Sequence, residues 1–123
     1  MIVDRITNEI MPGQIIPKPF TKTNSVKGWG KRRDQPALIY YIPSRNSNKK
    51  PYQKGVTESE FELAYRHLMQ TESLTRKWFN ENLTDCAAEG PCNFTTIGGI
   101  FQLLGIARYV GKGLYVSYSV SRL

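Results

Sequence analysis

Lysine and arginine are the side chains with most chemistry to offer in this chain, and they are unevenly placed. The net charge is +7. Residues 18 to 54 hold ten Lys/Arg against the single Asp34, whereas residues 55 to 92 hold three against seven acidic groups. The run Lys27-Gly-Trp29-Gly-Lys31-Arg32-Arg33, followed by Tyr40, Tyr41, Arg45, Lys49, Lys50, Tyr52 and Lys54, interleaves cations with aromatic rings. Cations neutralise phosphates and release counterions, and aromatic faces stack on unpaired bases. Glycines on either side of Trp29 leave that segment free to follow a backbone. The pattern nominates Lys27, Trp29, Lys31, Arg32, Arg33, Lys49 and Lys50 as nucleic-acid contacts. The competing reading buries Trp29 and the tyrosines and leaves the charges solvated.

Other chemistry is thinly supplied. His67 is the only histidine, and Cys86 and Cys92 are the only cysteines. A structural zinc site takes four ligands, so this set reads as two reduced thiols and an isolated imidazole. No Ser-His-Asp, Cys-His or Walker-type spacing is present, so no catalytic residue, metal or cofactor is expected. Glu58, Glu60 and Glu62 fall where a helix would begin, and there carboxylates favour the helix dipole.

The elements that position these residues divide at Val56. The first 56 residues hold six of the seven prolines and little helical periodicity. Pro36 to Pro43 reads as a strand, apolar and aromatic between two prolines. Phe20 to Val26 is its expected partner, with Gly28 to Asp34 in the connection. Ser44 to Lys50 reads as a polar loop. At Thr57 a capping box with Glu60 opens a helix over about 58 to 70, in which Phe61, Ala64, Tyr65 and Leu68 form one stripe. Ser73 caps a second helix to about Leu83, and Thr84 to Cys92 interrupts. Asn93 or Thr95 opens a third, with Ile97, Ile100, Phe101 and Leu104 on one face. Gly98-Gly99 inside it calls for close packing, since two mid-helix glycines cost about 1 kcal/mol each. Ala107 to Val120 reads as two strands around Gly111-Lys112-Gly113.

Helices followed by such a hairpin, and in particular Phe94 to Val116 (FTTIGGIFQLLGIARYVGKGLYV), resemble the end of a winged helix-turn-helix domain. The resemblance covers about residues 57 to 120. It implies that Thr95 and Thr96 read base edges from the third helix and that Arg108 and Lys112 assist from the wing. The third helix carries no charge, so it also reads as core. Separately, Leu38-Ile39-Tyr40-Tyr41-Ile42 with Pro51-Tyr52-Gln53-Lys54-Gly55 faintly resembles the paired tyrosine motifs of GIY-YIG endonucleases. That resemblance would make Tyr40 and Tyr52 motif tyrosines and Arg66 a phosphate contact. The chain as a whole is similar in style to small bacterial proteins of mobile elements such as integron cassettes and phages.

The sequence therefore predicts one α+β domain. In it a three-helix winged helix-turn-helix-like unit with a C-terminal β-hairpin (57–123) follows an irregular, basic, β-containing segment (1–56). It predicts a cytoplasmic, non-enzymatic nucleic-acid-binding protein, with DNA favoured over RNA. The alternative is a protein-interaction module whose apolar third helix supports a homodimer. No apolar run approaches the roughly 20 residues a spanning helix needs, and the first residues lack signal-peptide character.

Overall fold

The computed structural model describes residues 1–20, 23–44 and 50–118. It opens with helix α1 (Ile2–Glu9), in which Ile2, Ile6 and then Ile10 recur every four residues and are buried. Gly13 takes a left-handed conformation (φ 86°) beyond it. The chain then builds a four-stranded antiparallel sheet in the order β1-β2-β3-β4, from Ile15–Ile16, Asn24–Arg32, Gln35–Ile42 and Tyr52–Thr57. The β2–β3 hairpin turns on two residues, Arg33 (φ 51°) and Asp34 (φ 59°). Paired left-handed residues match the right-handed twist of flanking strands.

Thr57 ends β4 and caps helix α2 (Glu58–Thr71), with Thr57 Oγ1 accepting from the Glu60 amide and Glu60 returning a bond to the Thr57 amide. A left-handed Glu72 (φ 66°) closes the helix. After it come β5 (Ser73–Thr75), α3 (Arg76–Asn82), α4 (Thr84–Glu89) and α5 (Asn93–Leu103). The last strands are β6 (Ala107–Gly111) and β7 (Leu114–Ser117), and a second antiparallel sheet has the order β5-β7-β6. Helices α2 and α5 each contact both sheets. The core gathers there: Phe61, Leu68, Phe79, Phe94, Ile97, Ile100, Phe101 and Tyr115 are essentially sealed from solvent.

The α+β class stands, but the expected architecture does not. The described residues hold seven strands, and the N-terminal half is a four-stranded antiparallel sheet rather than an irregular leader. That arrangement does not match a three-helix winged helix-turn-helix unit closed by a hairpin. The misreading has local causes. Gly28 and Gly30 lie inside β2, where a Cβ on Gly30 would stand 3.0 Å from Ile39 Cγ1, so the glycine serves packing across the hairpin. Ser73 starts a strand opposite Val116, and Thr75, not Ser73, caps the following helix by accepting from the Trp78 amide. The stretch from Thr84 holds a short helix of its own. Helix α5 buries most of its apolar residues in the core. Among the described residues, no helix is long and apolar enough to cross a membrane.

Candidate nucleic-acid interface

Sheet pairing brings Ser25, Tyr41 and Gln53 into one row across β2, β3 and β4. A bulge between Val26 and Gly28 re-aims Lys27 over that row. Its Nζ stands 5.9 Å from the centroid of the Tyr41 ring and donates to Gln53 Oε1 at 3.0 Å. Thr23, Pro43, Lys50 and Pro51 complete the walls of an open groove of about 540 Å³. Among the described residues, no carboxylate lines it. Tyr41 gives it an aromatic ring and Lys50 a cation, while Lys27 reaches over that ring from beside the groove, and both lysines are exposed. Beyond Val26, β1 no longer pairs with β2, so Trp29 (37% exposed) and Lys31 continue along an edge.

Arg32 and Arg33 are placed differently. Arg33 Nη2 donates to Glu60 Oε1 at 2.7 Å, and its Nη1 bonds Glu89 Oε2. Arg32 Nη2 donates to the Gln53 carbonyl at 3.0 Å, with Nε 3.7 Å from Glu89 Oε1. Lys54 Nζ donates to the Glu89 carbonyl. These cations tie the β2–β3 hairpin to the start of α2 and the end of α4. Breaking a largely buried pair strands a charge, so the cluster is a fastening rather than a free cationic surface.

Thr95 and Thr96 lie at the start of α5, and Thr96 is buried. Both hydroxyls accept from Lys18 Nζ, at 2.9 and 2.7 Å, and the Cys92 carbonyl accepts from it at 3.1 Å. Lys112 is exposed at the β6–β7 turn (φ 33°), and the Gly113 carbonyl next to it accepts from the Arg76 amide at 2.9 Å. Arg108 is half-buried on β6, its Nε enclosed without a hydrogen-bond partner among the described residues. Lys49, with Arg45, lies outside the described residues. Of the nominated residues, the fold therefore puts Lys50 in the groove and Lys27 beside it over Tyr41, sets Trp29 and Lys31 along the Lys27 strand, and puts Thr95, Thr96 and Lys112 near α5 and α3. Sequence reasoning missed Lys18 and Arg76. Arg76 lies 4.7 Å over the Phe94 ring and donates from Nη1 to the Pro91 carbonyl at 2.9 Å, with no carboxylate partner among the described residues.

The tyrosines of the endonuclease resemblance part company. Tyr40 is fully buried, donating to Asn93 Oδ1 at 2.6 Å, and burial pushes its phenol well above the ordinary range; Tyr52 is exposed. Cys86 and Cys92 are both free thiols, and burial, with Glu60 nearby, pushes Cys86 up. No three His, Cys, Asp or Glu side chains converge as a metal site among the described residues. No known family matches the chain, and neither a curated protein nor a solved structure matches it.

Proposed function

We propose that the protein binds nucleic acid, DNA in the first instance, along the groove over Tyr41, and that it takes an unpaired strand there. One observation carries this reading: an aromatic ring in a groove that Lys50 lines and Lys27 adjoins, both exposed, with no carboxylate among the described residues that line it. A duplex hides its bases, whereas a single strand offers a base to the Tyr41 face and its phosphates to Lys27 and Lys50. Lys31 on the neighbouring edge and the net charge of +7 add long-range attraction. On this reading Arg32 and Arg33 hold the sheet in shape and do not touch the strand.

Fluorescence anisotropy with labelled single-stranded DNA, single-stranded RNA and duplex of one sequence tests the proposal. Single strands should bind tighter than duplex, with affinity falling steeply as salt rises. Tyr41→Ala should weaken binding by roughly tenfold, since stacking is worth about 1–3 kcal/mol per base. Lys27→Ala with Lys50→Ala should flatten the logarithmic salt slope by about 1 to 2. Absence of binding to every probe at low salt would end the proposal.

A further inference from the structure

Asn24 lies between Thr23 and Ser25 in sequence, but those two line the groove and Asn24 faces the other way, as alternation along a strand requires. It lines a second cleft, of about 280 Å³, between the residues after β1 and the start of α5. Asn24 is 1% exposed, and its Oδ1 has no hydrogen-bond partner among the described residues. A buried, unpaired amide oxygen is costly, and such a group is commonly completed by something that enters its cavity.

The rest of the cleft says what would enter. Lys18 and Arg76 line it, and among the described residues no Asp or Glu does. Lys18 spends three donors on the Cys92 carbonyl and the Thr95 and Thr96 hydroxyls, so it supplies positive potential more than a new hydrogen bond. Arg76 has Nη1 on the Pro91 carbonyl and its plane against Phe94, which fixes the fork while leaving the other guanidinium donors. The first amides of α5 are already taken, Asn93 donating to the Gly90 carbonyl at 3.1 Å and Phe94 to the Pro91 carbonyl at 3.3 Å, which leaves Arg76 as the donor for an anion here. At the mouth stands Phe20, 78% exposed, a ring with little else to bury it.

From these observations we infer that the cleft is a nucleotide site. In it Arg76 holds a phosphate in the positive potential of Lys18, Phe20 stacks on the base, and Asn24 accepts from an exocyclic base amine. A planar ring, an anion and a hydrogen-bond donor are what Phe20, Arg76 and Asn24 each lack a partner for, and a nucleoside monophosphate unit carries all three. The inference deepens the nucleic-acid reading and rests on it for taking a nucleotide over other planar anions. The unit is either a free nucleotide or the 5′-phosphorylated end of a strand.

Cys92, a half-buried cysteine outside any disulfide, lines the same cleft with its Sγ 3.2 Å from Tyr40 Oη and provides the readout. Its alkylation by iodoacetamide is followed by mass spectrometry in the whole protein, alone and with 5′-AMP, inorganic phosphate, or single-stranded DNA with and without a 5′-phosphate. A ligand at ten times its Kd should slow Cys92 modification about tenfold. Protection by 5′-AMP identifies a free-nucleotide site; protection only by the 5′-phosphorylated strand identifies a strand end. Either supports the inference. In both cases Arg76→Gln should remove most of the protection, and where 5′-AMP protects, Tyr41→Ala should leave that protection unchanged. Equal protection by inorganic phosphate alone overturns it in favour of a simple anion site. If the strand binds, with its Tyr41 dependence, and no probe protects Cys92, the cleft inference falls and the groove reading stands. If 5′-AMP protects Cys92 and no strand binds, the groove reading falls instead.

Discussion

At the scale of single residues, burial sorts groups that look alike in the sequence. Cys86 and Cys92 are six positions apart, yet one is sealed in the core on the buried side of α4 while the other lines a cleft. Burial keeps the Cys86 thiol protonated far above the ordinary cysteine range, and the thiolate is the reactive form. Brief alkylation of the native protein near neutral pH should therefore give a single adduct, on Cys92. Equal labelling of both thiols would show that the region around Cys86 opens readily. The same sorting divides the cations. Lys27 and Arg33 stand six positions apart on one hairpin, but the first overlies an open ring and the second is clamped by Glu60 and Glu89. Charge spacing revealed that cations crowd this segment. It could not reveal which of them meet carboxylates that arrive from residues 60 and 89.

At the scale of elements, the two glycines of α5 are explained by what they touch. A Cβ on Gly98 would run into the Tyr115 ring, and one on Gly99 into the Pro17 carbonyl oxygen and, at 2.6 Å, Ile16 Cγ2. Helix α5 thus lies against β7 with one glycine and against the end of β1 with the next. Gly99→Ala should destabilise by about 1–3 kcal/mol in urea unfolding, because overpacking against backbone outweighs the roughly 1 kcal/mol that alanine contributes as a helix former. A stabilised variant would mean that the β1 segment is free to move away. The need for close packing at Gly98-Gly99 is legible in the sequence, and so is α2, whose capping box and apolar stripe agree with each other. Strand β2 is not. Its glycines and charges imitate a loop, and the turn residues Arg33 and Asp34 lack the Asn-Gly signature of a two-residue hairpin. Ser73–Thr75 is similarly hidden, since three residues carry too little periodicity to show a strand without its partner β7.

At the scale of the whole molecule, the decisive feature is that basicity and sheet coincide. The groove over Tyr41 exists only because Ser25, Tyr41 and Gln53, which are 16 and 12 positions apart, meet in register. The cleft needs a longer reach, uniting Lys18 and Asn24 with Arg76, Cys92 and Thr95. Neither juxtaposition can be read from spacing along the chain. What the sequence does show is the supply of parts: lysines and tyrosines in the first half, acids in the middle, and an apolar helix to hold them. The fold consumes part of the acidic supply on Arg32 and Arg33 and leaves Lys27 and Lys50 facing solvent beside an aromatic ring. The most direct measurement of the account is a heteronuclear NMR titration of the isotope-labelled protein with a short single-stranded DNA. The account predicts amide shifts centred on Ser25, Lys27, Tyr41, Lys50 and Gln53, with Arg33 and Glu60 unmoved. Saturable shifts centred on the Arg33 hairpin, or no shifts at all, would contradict it.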